Sequence, residues 1–467
     1  MEGDPTFKQW AIDNFSQADL GDKRRTSRLV QLAAAMHMQP DVSLPQQCAD
    51  HAALAGGYRF LSNCDVDPQA IVQSHAQHVA RQVSQLPVVL CVQDTTQLDF
   101  SKRAKRGSIK GTGPLGKRNS HGHGLLQHAA LAVTEEGRTL GVLDQQWHCQ
   151  HRPEQGETRK QRRARDTEAD VWGHCAHAVA QLPINKTRLI HVGDRHSDVF
   201  DFLLTAERLN HGYVVRAMHN RYVDDDETQL FDKLADQPVA DTSTIHVPRR
   251  SGGSAQKRRA RDAVLSLRFC KVSLQPPRND PRYDEPHVCF AIELAELAPP
   301  EDVDPIRWVL LCSEPVESTG AAWRVVTWYR HRWVIEQWHR QLKEGCRLEK
   351  TQLDEAADIK RLAAIAGPIA ANLLRLRDLA SSPDHADSTQ ALKQFLPWSM
   401  IAVAAALCKV APEQLTPRQF FDKVAQLGGY LGRKNDPRPG AKALWHGWQQ
   451  IAIRAQGWQL ARDAGDV

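Results

Sequence analysis

The 467-residue sequence predicts an α/β protein: a mixed sheet with helices on its faces, a β-rich insertion, and helical segments at both ends. Three observations carry this. Short β-prone runs at 88–93, 125–148, 188–194 and 212–218 alternate with helical stretches. Pro, Gly and basic turns then separate β-prone runs between about 220 and 320. Before about 75 and after about 355 the apolar residues recur with helical spacing.

The first segment, 1–75, reads as a small helical domain, with "RLVQLAAAMHM" ended by Pro40 and Pro45. A helix over 68–86 leads through Pro87 to the strand "VVLCVQ", with Asp94 at its end. Two strands surround the turn "EEG" in 125–148, and a helix follows at about 166–182. "TRLIHVGD" is a strand ending at Asp194, with a helix from near Ser197, and "GYVVRAM" is a fifth strand. Strand, strand pair, helix, strand, helix, strand is the order of a ribonuclease H-like core. That core spans 76–220 and resumes at 321–380, around a mostly antiparallel insertion at 221–320. Residues 381–467 form a helical C-terminal domain in which "WSMIAVAAALCKVA" is a buried helix, too short to span a bilayer.

Total charge says little about partners, because the net charge is only +5. Local charge says more. Basic clusters at 21–29, 101–118, 158–165 and 248–261 would line a polyanion track if their loops share one face. Ten cysteines without a C-x-x-C pair, and no secretory signal after "MEGDPTFK", point to a reducing cytoplasm. "HCQH" (148–151) and "HCAH" (174–177) offer metal ligands, but their spacing is cramped for structural zinc.

The stretch "YRHRWVIEQWHRQLKEG" (329–345) is the most informative. Wound as one helix, it sets Tyr329, Arg332, Glu336, Arg340 and Lys343 within roughly 40° of one line, with His339 beside it. Val334, Ile335, Trp338 and Leu342 form the opposite, apolar stripe. Such a face is either a solvated run of ion pairs or a single acid set among phosphate-holding cations. Asp94 and Asp194 decide between them. Each ends a strand of the same inferred sheet, although each would also serve as a turn or helix cap. With Glu336 they make a carboxylate triad suited to two Mg²⁺ ions about 4 Å apart.

The set Tyr329-x2-Arg332-x3-Glu336-x6-Lys343 resembles the YREK signature of the DDE transposases of bacterial insertion sequences, the IS-four family. "DTTQL" and "GDRHSD" resemble its acidic motifs, and "ADLGDKRRTSRLV", "GGYRFLSN" and "RWVLLCSEPVES" resemble the branch that holds the transposase of transposon five. The resemblance runs from about residue 10 to about 380. It implies a homodimer on double-stranded DNA that cuts terminal inverted repeats through a hairpin and joins the ends to target DNA. It also implies that Asp94, Asp194 and Glu336 are catalytic and hold two Mg²⁺ ions, with Mn²⁺ able to substitute. Tyr329, Arg332 and Lys343 would hold phosphates near the cut, flanked by His339 and Arg340. Arg28 and Arg59 would contact the transposon end, and Trp308 would stack on a flipped base. Met38 stands where the family has a Lys, so the contacts to the end differ here. A metal-dependent nuclease of the same fold, or a non-catalytic DNA-binding descendant, would share most of these residues.

Overall fold

The computed structural model describes residues 5–115, 122–148, 169–224, 227–249, 259–278, 280, 282–301, 303–381, 392, 393, 396–433, 439 and 441–464. Most of "HCQH", all of the basic cluster 158–165, and parts of those at 101–118 and 248–261 lie outside these residues.

Five N-terminal helices come first: α1 (Pro5–Phe15), α2 (Lys23–Met38), α3 (Leu44–Gln47), α4 (His51–Leu61) and α5 (Pro68–Val83). Asp22, Asp50 and Asp67 cap α2, α4 and α5 by accepting from the backbone N–H groups of Arg24, Ala53 and Gln69. Then come β1 (Val88–Asp99), β2 (Gly113–Pro114), β3 (His123–Thr134) and β4 (Thr139–His148), with α6 (Ser101–Lys105) after β1. β1 pairs antiparallel with β3, and β3 with β4. Next are α7 (Asp170–Ala180), β5 (Arg188–Gly193), α8 (Phe200–Arg208) and β6 (Gly212–Arg216). β1 runs parallel to β5, and β5 to β6. Three antiparallel strands followed by helix-connected parallel ones make the mixed sheet of a ribonuclease H-like core.

The chain continues through α9 (Leu230–Ala235) into β7 (Asp241–Val247), β8 (Arg261–Leu274), β9 (His287–Glu296) and β10 (Arg307–Cys312). All four pair antiparallel, but they do not form a separate sheet. β10 pairs with β6, so one ten-stranded sheet runs β2-β3-β1-β5-β6-β10-β9-β8-β7, with β4 on β3. The insertion thus extends the core sheet itself.

Successive side chains of a strand point to opposite faces, and the core follows that alternation. Leu90, Val92, Ile190, Val192 and Val214 face α10 (Thr319–Arg330), α11 (Trp333–Arg340) and the long α12 (Ala356–Ser381). Val89, Cys91 and Leu189 face α7, while Tyr213 and Val215 meet α7 and α8. No separate core divides the N-terminal helices from the sheet: Phe15, Leu29 and Leu61 belong to the same apolar cluster as Leu90 and Trp338. Arg361 of α12 completes the junction by donating to the carbonyls of Leu61 (2.9 Å) and Val66 (2.7 Å). The C-terminal helices α13 (Trp398–Cys408), α14 (Pro417–Leu427) and α15 (Ala441–Asp463) pack around Met400, Phe420 and Trp448. No helix is long and apolar enough to cross a membrane among the described residues.

His37 of α2 illustrates the cost of these interfaces. It is fully buried, its Nε2 lies 3.0 Å from Asn372 Nδ2, and burial lowers its pKa to about 3. An unfolded histidine takes its proton near pH 6.5, so folding is fully supported above that pH and loses support as pH falls toward 3. Compared with His37→Asn, which cannot titrate, the parent should lose up to about 1.4 kcal/mol of relative stability per pH unit in that window. Urea unfolding of both proteins from pH 7.5 to 4.5 measures this, and a difference independent of pH would show that His37 accepts its proton in the fold.

Candidate active site

Strand register places the first two carboxylates. The parallel pairing of β1 with β5 matches Val92 to Val192, and that of β5 with β6 matches Val192 to Val214. Two residues on, Asp94, Asp194 and Arg216 stand level on three adjacent strands and point to the same face, with neighbouring strands about 5 Å apart. Asp94 does not end its strand as expected. β1 continues to Asp99 because β3 goes on pairing with it after β5 has stopped. Asp194 serves as a cap as well: it accepts from the His196 N–H (2.8 Å) and lies 3.2 Å from His196 Nδ1, opening a 3₁₀ turn over Arg195–Ser197. The α-helix expected from Ser197 begins only at Phe200.

The third carboxylate comes from above the sheet. The segment 329–345 is not the single α-helix its periodicity suggests. α10 ends at Arg330, His331 and Arg332 form a turn, α11 covers Trp333–Arg340, and a π-helical turn closes Gln341–Gly345. The β3–β4 turn accounts for the break. Glu135 accepts from Arg324 (2.7 Å) and from Trp328 Nε1 (3.0 Å), while the His331 ring lies over Gly137, which has a φ of +86° and where that ring leaves no room for a Cβ. Trp338 then ties α11 to α12 by donating to the Gly367 carbonyl (2.9 Å). Val334, Ile335, Trp338 and Leu342 are buried as their spacing predicts.

Arg332 links the layers. Its Nη2 lies 2.7 Å from Glu336 Oε1 and its Nη1 lies 3.4 Å from Asp94 Oδ2. Burial pushes the Asp94 carboxyl up to about 7, and the neighbouring Asp194 and Glu336 charges add to the shift while Arg332 opposes it. Asp194 and Glu336 are therefore near enough to Asp94 for their charges to act on it. Tyr329 is buried beside Arg332 and Arg216, with the half-buried Trp308 ring edge-on to it at 5.1 Å. Lys343 lies further along β1, partly buried near Asp99 and Glu349, and burial lowers its pKa. Arg340 is exposed.

His339 departs from its expected place. It is buried rather than presented beside the basic line, burial lowers its pKa to about 3, and its Nε2 meets no partner among the described residues. It thus lies off the exposed face that carries Arg340. Arg216 was missed by the sequence reading, although a cation ending the apolar run "GYVV" was a signal for it. Trp333 was also missed. It is 56 % exposed next to the triad, with the Arg332 guanidinium over its ring. Of "HCAH", Cys175 points into the core while His174 and His177 are exposed. Among the described residues, no three His, Cys, Asp or Glu side chains stand close enough to hold a metal. With Arg332 paired to both Asp94 and Glu336, the three carboxylates do not converge on one point.

Comparison with known proteins concerns the two ends of the chain. Residues 7–66 match the family model for transposase DNA-binding, and residues 402–467 match that for the transposase Tn5 dimerisation domain. Both ends are similar to those of a Tn5-type transposase. The partners of the chain are accordingly DNA and a second copy of itself. Within the DNA-binding segment, the Arg28 guanidinium lies against Gly56 of α4, where a Cβ would come within 2.8 Å of it. Arg59 is exposed one helical turn beyond Gly56, so the two arginines share a surface.

The β3–β4 turn is open to a direct test. Gly137→Ala should cost about 1–3 kcal/mol, because Ala is strained at this φ and its methyl would displace His331. Part of that cost should vanish in a His331→Ala background. A double-mutant cycle by urea unfolding measures it, and equal losses in both backgrounds would show that His331 does not press on the turn.

Proposed function

We propose that this chain is a Mg²⁺-dependent cut-and-paste DNA transposase of the DDE type, carrying the YREK signature of the IS-four family. It would bind terminal inverted repeats as a homodimer, free the element through a hairpin intermediate and join its 3′-OH ends to target DNA. One observation supports this above the others: Asp94 and Asp194 stand level on neighbouring strands with Glu336 within electrostatic reach, in a chain with Tn5-type ends.

The chemistry of the donor set, though not its spacing while Arg332 is paired, suits the metal. Asp94, Asp194 and Glu336 offer only carboxylate oxygens, the donors that Mg²⁺ prefers. Bound there, two Mg²⁺ ions would activate the attacking oxygen and stabilise the leaving one. The rest is work for side chains of the protein. Arg332 and Arg216, with Tyr329 between them, would hold phosphate oxygens beside the carboxylates, and Lys343 would take a phosphate further along β1. Arg332 would exchange its carboxylate partners for the incoming phosphate. The half-buried Trp308 indole, in edge contact with the Tyr329 ring, would take up a base that leaves the helix when the hairpin closes.

Replacing Asp94 or Asp194 with Asn, or Glu336 with Gln, should abolish Mg²⁺-dependent nicking and strand transfer while end binding stays within a few-fold of the parent. A gel assay on labelled terminal repeats reads both. Near-normal nicking by any one variant would remove that residue from the triad, and a parent that binds ends but never nicks would leave a DNA-binding protein without catalysis.

Trp308→Ala should bind and nick normally but close hairpins slowly, so that nicked ends accumulate. An abasic nucleotide at the flipped position, which needs less unstacking, should partly restore closure. Should the variant instead lose stability or fail to bind ends, Trp308 belongs to the packing of β10 against α10 and has no part in the hairpin.

A further inference from the structure

Behind the carboxylates, on the opposite face of the same strands, runs a chain of buried hydrogen bonds. Thr95 Oγ1 lies 2.8 Å from His128 Nδ1, and His128 Nε2 lies 3.0 Å from Gln93 Oε1. Gln93 Nε2 lies 2.6 Å from His191 Nδ1, and His191 Nε2 lies 3.0 Å from His211 Nδ1. Gln93, His128 and His191 are all at most 1 % exposed. The Gln93 amide sets the direction throughout. Its NH₂ donates, so His191 Nδ1 accepts and His191 Nε2–H donates to His211. Its oxygen accepts from His128 Nε2–H, which leaves His128 Nδ1 to accept from the Thr95 hydroxyl. Every link is satisfied with both central histidines neutral.

The chain crosses β3, β1 and β5, consecutive in the sheet, and ends at His211 just before β6. Gln93 immediately precedes Asp94, and His191 lies three residues before Asp194. The Gln93–His191 bond joins β1 and β5 just where their backbone pairing ends at Val92 and Val192, below the two carboxylates. Beyond that point the apolar core offers no directional contact to keep the two strand ends level. A side-chain bond buried away from water does, because either partner left alone would be an unsatisfied polar group.

We infer that Gln93 and His191 are positioning residues: the bond between them holds the ends of β1 and β5 in register, and so sets the separation of Asp94 and Asp194. In its catalytic consequence this rests on the reading of Asp94, Asp194 and Glu336 as the metal-holding triad. His128 of β3 and His211, just before β6, brace the pair on either side. The link between β1 and β5 is the one that matters to the site, whereas the His191–His211 link serves β6.

The two links can be separated by substitution. His191→Asn keeps an acceptor near the Nδ1 position for Gln93 but cannot reach His211. His191→Gln reaches toward His211 but withdraws from Gln93. Gln93→Met removes both central bonds at nearly constant volume. Full-length variants are compared for thermal stability, binding to terminal repeats, and the Mg²⁺ concentration giving half-maximal nicking.

Gln93→Met and His191→Gln should raise that Mg²⁺ requirement about tenfold or more, the usual scale for groups that orient metal ligands. Their end binding should stay within about twofold, and His191→Asn should keep the parent's requirement. An unchanged requirement in folded Gln93→Met, or equal effects of His191→Asn and His191→Gln, would overturn the inference. Should Gln93→Met fail to fold, the His191 pair decides alone. Should the parent not nick at all, the proposed function fails while the inference stays testable: crystal structures of parent and His191→Gln should then show the two carboxylates moved apart, and an unchanged separation would refute it.

Discussion

The parallel pairing of β1 with β5 is the constraint from which the site follows. Because both strands run the same way and match Val92 to Val192, the next residues of like parity, Asp94 and Asp194, arrive together without any loop having to place them. β6 extends the same row with Arg216. A slip of one residue in either strand would turn its acid to the opposite face, among α7 and α8. The apolar alternation of Leu90, Val92, Ile190 and Val192 against Val89, Cys91 and Leu189 therefore specifies the site as firmly as it specifies the core. Burial on both faces demands that register as far as Val92 and Val192, where the backbone pairing ends.

Bringing like charges together is unfavourable, and the surroundings show how that is managed. Asp94 is almost enclosed, so its ionised form is disfavoured by burial first and by Asp194 and Glu336 second. Arg332 opposes this, held between Asp94 and Glu336 by the turn that separates α10 from α11. That turn depends in turn on Glu135 and Gly137 of the β3–β4 hairpin, residues nearly two hundred positions earlier in the chain. A site assembled from so many segments is stable only if each segment is fixed by something other than the site. Trp338 on the Gly367 carbonyl does this for α11. Arg361 on the carbonyls of Leu61 and Val66 does it for the N-terminal helices.

Much of this was legible in the sequence, and the illegible parts share a cause. Periodicity gave the burial of Val334, Ile335, Trp338 and Leu342 correctly, because local spacing determines which side of a helix is apolar. It could not reveal the break at His331 and Arg332, which is imposed by a hairpin distant in sequence. β1 was expected to end at Asp94 because its apolar run ends there, yet pairing with β3 carries the polar half on to Asp99. His339 reads as polar and exposed beside its cations, but a helix pressed between sheet and α12 leaves little of its surface to solvent. The union of insertion and core into one sheet was also hidden, since β10 and β6 are separated by almost a hundred residues.

That union bears on how a DNA end could be handled. Were the insertion a separate domain on a hinge, Trp308 would move independently of the triad. Instead β10 is hydrogen-bonded to β6, Leu310 matching Arg216, so Trp308 and the Arg216 of the carboxylate row belong to one rigid ladder. Tyr329 closes the gap from the helical layer, its ring meeting Trp308 edge-on while its hydroxyl lies among Arg216 and Arg332. Strand pairing thus holds the indole, Arg216, Asp94 and Asp194 in one sheet, and the helical layer brings Tyr329, Arg332 and Glu336 to them.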